Sequence, residues 1–226
     1  MSDLAESARH TSLQLRFWLP LARLFAKPLL AVLGPVRNIG SYRVPRTGPV
    51  LILSNHLADI DPVVVQAKCP RPLHFMAKSE LFEMPLLGRI QRSFGSFPVV
   101  RGTPDRAALK LAAQLLESGE LVCLFPEGQL SEDGKLQEIK AGVALIIRMI
   151  PGIPVLCCGL TGTNRIIPYG SVIPRPAWGG VKITWGEPRT FEKSSTTEEI
   201  LAWISGQFRD LTDEPLGKGE MTRAER

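Results

Sequence analysis

Val50-Leu51-Ile52-Leu53-Ser54-Asn55-His56-Leu57-Ala58-Asp59-Ile60-Asp61-Pro62 is the stretch on which the fold turns. Val50–Ser54 is a short apolar run, the signature of a strand. Asp61–Pro62 then opens a helix, with an Asp available as cap and Pro at a first helical position that needs no N–H. A strand that hands over to a helix within a few residues is the start of a β–α unit.

Working outward, the same alternation continues. Leu73–Ala77, Phe97–Val100, Leu121–Phe125, Ile153–Leu160 and Val181–Trp185 are strand candidates. Thr103–Pro104 begins a helix whose apolar face is Ala108, Leu111, Ala112 and Leu115, and Gly119 closes it. Ala141–Ile150 is another helix. Ser195 with Glu198 resembles a capping box before a last helix at about Thr196–Leu211. Strands alternating with helices imply an α/β fold, a single domain with a mainly parallel central sheet flanked by helices. The expected division is an N-terminal amphipathic helical segment over 1–40, the domain over 41–212 and a flexible tail over 213–226. Ligands of such sheets sit beyond the carboxyl ends of the strands. The segments to search for chemistry are therefore Asn55–Asp61, Arg101–Gly102 and Pro126–Ser131.

The N-terminal segment reads as helical from about Thr11 to Leu33, with Leu13, Phe17, Leu21, Leu24 and the Leu29–Leu33 run supplying the apolar spacing. Arg9, Arg16 and Arg23 lie seven apart and Lys27 four further on, so the four basic residues fall near one face. Trp18 and Phe25 set against that stripe suit a helix lying in a membrane interface, while packing on its own domain is the alternative. Pro20 and Pro28 break it into pieces. Met1–His10 is polar and no secretory cleavage pattern follows. No uncharged apolar stretch of 18 residues occurs, so no spanning helix is expected. The expected location is peripheral or monotopic, on the cytoplasmic face of a membrane.

Composition narrows the classes. Hydrophobic residues at 44% and charged ones at 22% are those of a globular domain rather than a disordered chain. Lys plus Arg exceed Asp plus Glu by 27 to 22, and the resulting +5 suits an anionic partner: a membrane surface, a phosphorylated substrate or nucleic acid. No aromatic–basic nucleic-acid motif appears, so nucleic acid is not expected as a partner. Cys69, Cys123, Cys157 and Cys158 form no CxxC pair and read as buried free thiols rather than disulfides or metal ligands.

His56 follows the first strand and Asp61 stands five residues later. A turn can fold the carboxylate back on the imidazole, holding one ring nitrogen protonated and leaving the other as a base. Two readings compete with this: Asp61 as a plain helix cap, and Asp59 with Asp61 as a divalent-metal pair. Arg101, at a strand exit before Gly102, can clamp a phosphate through its two-pronged guanidinium. Lys78 can add positive charge or be merely solvated. No G-x-S-x-G elbow is present.

Ser54-Asn55-His56 with Asp61 resembles the Asn-His-x4-Asp block of the glycerolipid acyltransferases, the family of bacterial 1-acylglycerol-3-phosphate acyltransferase. Further blocks follow in the family's order: Phe75–Phe82, Gly95–Gly102, Phe125–Gly128 with Ser131 and Gly134, then Ile153–Val155 with Gly162–Thr163. The resemblance implies an enzyme that moves a fatty acyl group from acyl-CoA or acyl carrier protein to the sn-2 hydroxyl of 1-acyl-sn-glycerol 3-phosphate. It implies His56 and Asp61 as the catalytic pair, and Arg101, Lys78, Glu127 and Gly128 around the acceptor. Glu127 would help hold the acceptor, with a structural glutamate in the Pro-Glu-Gly turn as the alternative, and Gly128 would bring backbone close to it. No cofactor or metal is implied, since the thioester is a co-substrate; the expected partners are the membrane surface, its lysophospholipid and the acyl carrier. One departure stands out. The family often has Thr-Arg where this chain has Gln129–Leu130, nearer the lysophospholipid acyltransferase domains fused to acyl-carrier-protein synthetases. Another lysophospholipid, such as lysophosphatidylethanolamine, is thus the alternative acceptor, and a non-catalytic membrane-binding module the alternative class.

Overall fold

The computed structural model describes residues 20, 24, 26, 28–100, 105–171, 173–177 and 179–213. Most of the amphipathic stretch, Arg101–Pro104 and the tail from 214 lie outside the described residues. In chain order the elements are β1 (Val36–Ile39), β2 (Val50–Ser54), α1 (Asp61–Lys68), β3 (His74–Lys78), α2 (Glu80–Glu83), α3 (Pro85–Ser93) and β4 (Phe97–Val99). There follow α4 (Arg106–Glu117), β5 (Leu121–Leu124), α5 (Gly142–Met149), β6 (Val155–Thr161), α6 (Thr163–Ile166), β7 (Val181–Trp185) and α7 (Thr197–Asp213).

The described strands form one sheet in the order β1-β7-β6-β2-β5-β3-β4. β6, β2, β5, β3 and β4 are mutually parallel. β7 runs antiparallel to β6, and β1 pairs parallel with β7, so these two are reversed against the rest. β2 lies at the centre with all five residues buried. Its side chains alternate between the two cores: Val50 and Ile52 join one, Leu51 and Leu53 the other. The first core is closed by Val64 and Val65 of α1 and by Leu30 and Leu33 of the helical residues 28–33. The second is closed by Ala112, Leu115 and Leu116 of α4, Ile146 and Ile147 of α5, and Ile204 and Phe208 of α7. A sheet covered on both faces explains why β5 is apolar at every position and β2 up to its last residue, Ser54.

Several boundaries differ from the expectation for local reasons. β1 lies inside the segment assigned to the N-terminal helix; VRNI is too short and polar to reveal itself, and pairing with β7 makes it a strand. α2 and α3 are helices that the apolar pattern of the sequence does not predict. α7 is capped by Thr196, whose hydroxyl accepts from Glu199 N–H at 3.1 Å, one residue later than the expected Ser195–Glu198 box. Asp105 caps α4, accepting from Ala108 N–H at 3.0 Å. Among the described residues no helix is long and apolar enough to cross a membrane.

Candidate active site

β2 ends at Ser54, and its ladder with β6 stops there, opposite Cys158. Asn55 extends the pairing with its side chain: its Nδ2 donates to the Leu160 carbonyl at 3.0 Å and its Oδ1 accepts from Leu160 N–H at 2.6 Å. An amide offers one donor and one acceptor, as a backbone unit does, so the chain leaves the sheet still fastened to it. The next residue is His56.

The carboxylate of Asp61 does not cap α1. Oδ2 turns back and accepts from the Leu57 and Ala58 amides at 2.6 and 2.9 Å and stands 3.0 Å from His56 Nδ1. Asp61 is fully buried, and its Oδ1 has no hydrogen-bond partner among the described residues. A buried carboxylate accepting from Nδ1 favours the tautomer with its proton there, which leaves Nε2 with a lone pair. No described residue bonds Nε2. The ring is stacked on Phe125, centroids 4.0 Å apart and planes 20° from parallel. Orientation and tautomer are both set by the fold. Asp59 is exposed while Asp61 is interior, so the two do not converge as a metal pair; among the described residues no cluster of three His, Cys, Asp or Glu could hold a metal ion.

The backbone of His56 is held by the loop after β5. Its N–H donates to Glu127 Oε1 at 3.0 Å, and its carbonyl accepts from Ser131 N–H at 2.9 Å. Glu127 Oε2 accepts from Gln137 N–H at 2.8 Å. The side chain is 1% exposed, so both carboxylate oxygens serve the protein. Glu127, expected beside the acceptor, therefore sits behind the histidine as a strut between two loops. Burial pushes its pKa up, opposed by the Gln137 and His56 amides. The amide of Gly128, expected to face an anion, donates instead to the Phe125 carbonyl at 3.0 Å and closes the Pro126–Glu127 turn. Its φ of +74° explains the glycine.

Lys78 ends β3, half exposed, and its Nζ lies 3.1 Å from Glu80 Oε1. Arg101 is outside the described residues, immediately beyond β4 and Val100. All four cysteines are free and buried. Burial raises the thiols of Cys123, Cys157 and Cys158, the last to about 12, so they are protonated and poor nucleophiles. Gln137 carries no sequence signal of its role, and Asn55 and Ser131 show theirs only as members of motifs. An Asn between an apolar run and a His was the available signal for the first tie.

A mainly parallel sheet that brings an imidazole, oriented by a buried carboxylate, to a strand's carboxyl end is an α/β arrangement able to do general-base chemistry. The chain belongs to the acyltransferase family, whose model, described as Acyltransferase, matches residues 36–161. It is 33% identical over 125 residues to a chloroplastic 1-acyl-sn-glycerol-3-phosphate acyltransferase of Brassica napus, covering 54% of this chain and 36% of that protein. It is 28% identical over 166 residues to the 1-acyl-sn-glycerol-3-phosphate acyltransferase of Bacillus subtilis, covering 72% of this chain and 77% of that one. The match thus spans only about a third of the plant relative. The crystal structure of the 1-acyl-sn-glycerophosphate acyltransferase PlsC from Thermotoga maritima superposes with a TM-score of 0.76 at 23% identity, over 90% of this chain and 82% of that one, a likeness of fold.

Proposed function

We propose that the chain moves a fatty acyl group from acyl-CoA or acyl-carrier-protein thioester to the free sn-2 hydroxyl of 1-acyl-sn-glycerol 3-phosphate, giving phosphatidic acid in phospholipid biosynthesis. The observation that carries the reading is the 3.0 Å contact of His56 Nδ1 with a buried Asp61, Nε2 left as acceptor. Membership of the acyltransferase family and the names of the relatives support it.

In this reading the acceptor hydroxyl donates its proton to His56 Nε2 as its oxygen attacks the thioester carbonyl carbon. Asp61 stabilises the imidazolium that forms. The tetrahedral adduct collapses, the C–S bond breaks, and the thiolate takes the proton from Nε2. No covalent acyl-enzyme is needed: no described serine or cysteine is bonded to Nε2, and three of the buried thiols have raised pKa values. Arg101, and Lys78 if it leaves Glu80, hold the acceptor phosphate. The enzyme works from the cytoplasmic face of a membrane, where its lysophospholipid partitions.

Gln129–Leu130 in place of Thr-Arg favours testing a second acceptor. Purified full chain is given labelled thioester with 1-acyl-sn-glycerol 3-phosphate or with lysophosphatidylethanolamine. Product with the phosphate acceptor is expected; product with the ethanolamine lipid alone overturns the acceptor, and product with neither overturns the reaction.

A further inference from the structure

α3 is an amphipathic helix turned outward. At 100° per residue, Leu86, Leu87 and Ile90 share one face, and Gly88 lies roughly opposite them. Gly88 is the residue of α3 that is buried. A Cβ there would run into the backbone carbonyl of Phe82, so α3 docks through its glycine, close against α2. Its apolar face is left outside: Met84, Leu86, Leu87 and Ile90 are 49, 72, 37 and 39% exposed. A helix joining parallel β3 to β4 ordinarily buries its apolar face on the sheet, as α4 does between β4 and β5. Single exposed aliphatics are common, but four within seven residues make a patch that marks an interaction site.

The chemistry beside the patch selects its occupant. α3 carries Arg89 and Arg92, both exposed, and no acidic residue. Arg89 stands beside the apolar face, one turn from Leu86, whereas Arg92 lies on the Gly88 side, its guanidinium 5.6 Å from the Phe82 ring centroid. On the neighbouring α2, Glu80 is paired with Lys78, and Glu83 is the other acid. Leucine and isoleucine flanked by arginine is the composition of a helix lying in an anionic lipid surface. Position agrees with this. α2 and α3 leave the carboxyl end of β3, the end of the sheet that carries His56, and β3 stands two strands from β2, on the order of 10 Å away.

We propose that α3 is a lipid-docking helix, its Leu86–Leu87–Ile90 face entering the interface of an anionic bilayer with Arg89 at the headgroups. It acts in addition to the N-terminal segment and rests on the reading of the substrate as a membrane lipid. The full chain and a Leu86→Ser/Ile90→Ser variant are sedimented with vesicles of phosphatidylcholine containing phosphatidylglycerol. The partition coefficient is expected to fall at least about tenfold, as two aliphatic side chains leave the interface. Loss of Ile90, 39% exposed, is expected to lower the melting temperature slightly, and Leu86→Ser alone, at a position 72% exposed, is the variant expected to leave it unchanged while still weakening partition. Arg89→Gln is expected to weaken binding to anionic vesicles by about fivefold, with little change on phosphatidylcholine alone. Unchanged partition of the Leu86/Ile90 variant overturns the proposal. So does normal partition with lost turnover on carrier-protein thioester alone, which makes the face a protein-docking site. Binding is read without turnover, so failure of the acyl-transfer reading gives a separate signal.

Discussion

Glu127→Gln separates a strut from a substrate ligand. In the wild-type chain one carboxylate oxygen accepts from the His56 amide at 3.0 Å and the other from the Gln137 amide at 2.8 Å. A carboxamide keeps one acceptor and sets an NH2 group against the other N–H. One buried donor then loses its partner, at a cost of about 1–3 kcal/mol. A domain of this size loses roughly 2–4 °C of melting temperature per kcal/mol, so a fall of roughly 2–12 °C is expected. The effect also depends on pH. Burial raises the pKa of Glu127 above the ordinary 4.5, so its protonated form is favoured in the folded chain. That contribution is complete below the ordinary value and fades as pH rises through the folded one. The melting difference between wild type and variant is therefore largest in acid and shrinks as the pH is raised. Because the strut positions the His56 backbone, kcat is expected to fall with the acceptor KM nearly unchanged. Thermal unfolding across pH, with steady-state kinetics in varied acceptor, checks both. A raised acceptor KM with unaltered melting refutes the reasoning and returns Glu127 to the substrate.

Asn55→Asp sets a carboxylate oxygen against the Leu160 carbonyl and is expected to cost at least about 1–3 kcal/mol, read by denaturant unfolding, with a parallel drop in kcat. If Arg101 holds the acceptor phosphate throughout the reaction as proposed, Arg101→Ala mainly raises the acceptor KM; a change confined to the thioester contradicts that role. His74 is buried on β3 with its Nδ1 2.9 Å from the Gly95 carbonyl, and burial lowers its pKa below the ordinary 6.5. The unfolded chain then takes up the proton more readily, so this contribution to stability is full above about 6.5 and declines as pH falls towards the folded value. Unfolding free energies at several pH values are expected to follow that decline in the wild type and to lose it in His74→Gln.

How much could be read from sequence depended on how local each determinant was. Val50–Ser54 announced itself, because a strand buried on both faces must be apolar throughout, and the His56–Asp61 contact spans five residues of a single turn. The ties that fix the histidine are not local. Asn55 meets Leu160 across 105 residues, and His56 meets Glu127 across 71. No spacing reveals which of a glutamate's neighbours will be amides of another loop, and so the sequence leaves Glu127 open between the acceptor and a structural turn. β1 was hidden because tertiary pairing with β7, not its own pattern, makes VRNI a strand. α3 was hidden for the opposite reason: its apolar face points away from the core that helix recognition presumes.

The central claim is that His56, oriented by Asp61, takes the proton from a lipid hydroxyl. It is tested most directly by the turnover of labelled acyl thioester onto 1-acyl-sn-glycerol 3-phosphate in His56→Ala, with its melting temperature recorded alongside. Turnover is expected to fall by at least about a hundredfold in a folded protein. Near-normal turnover would contradict it.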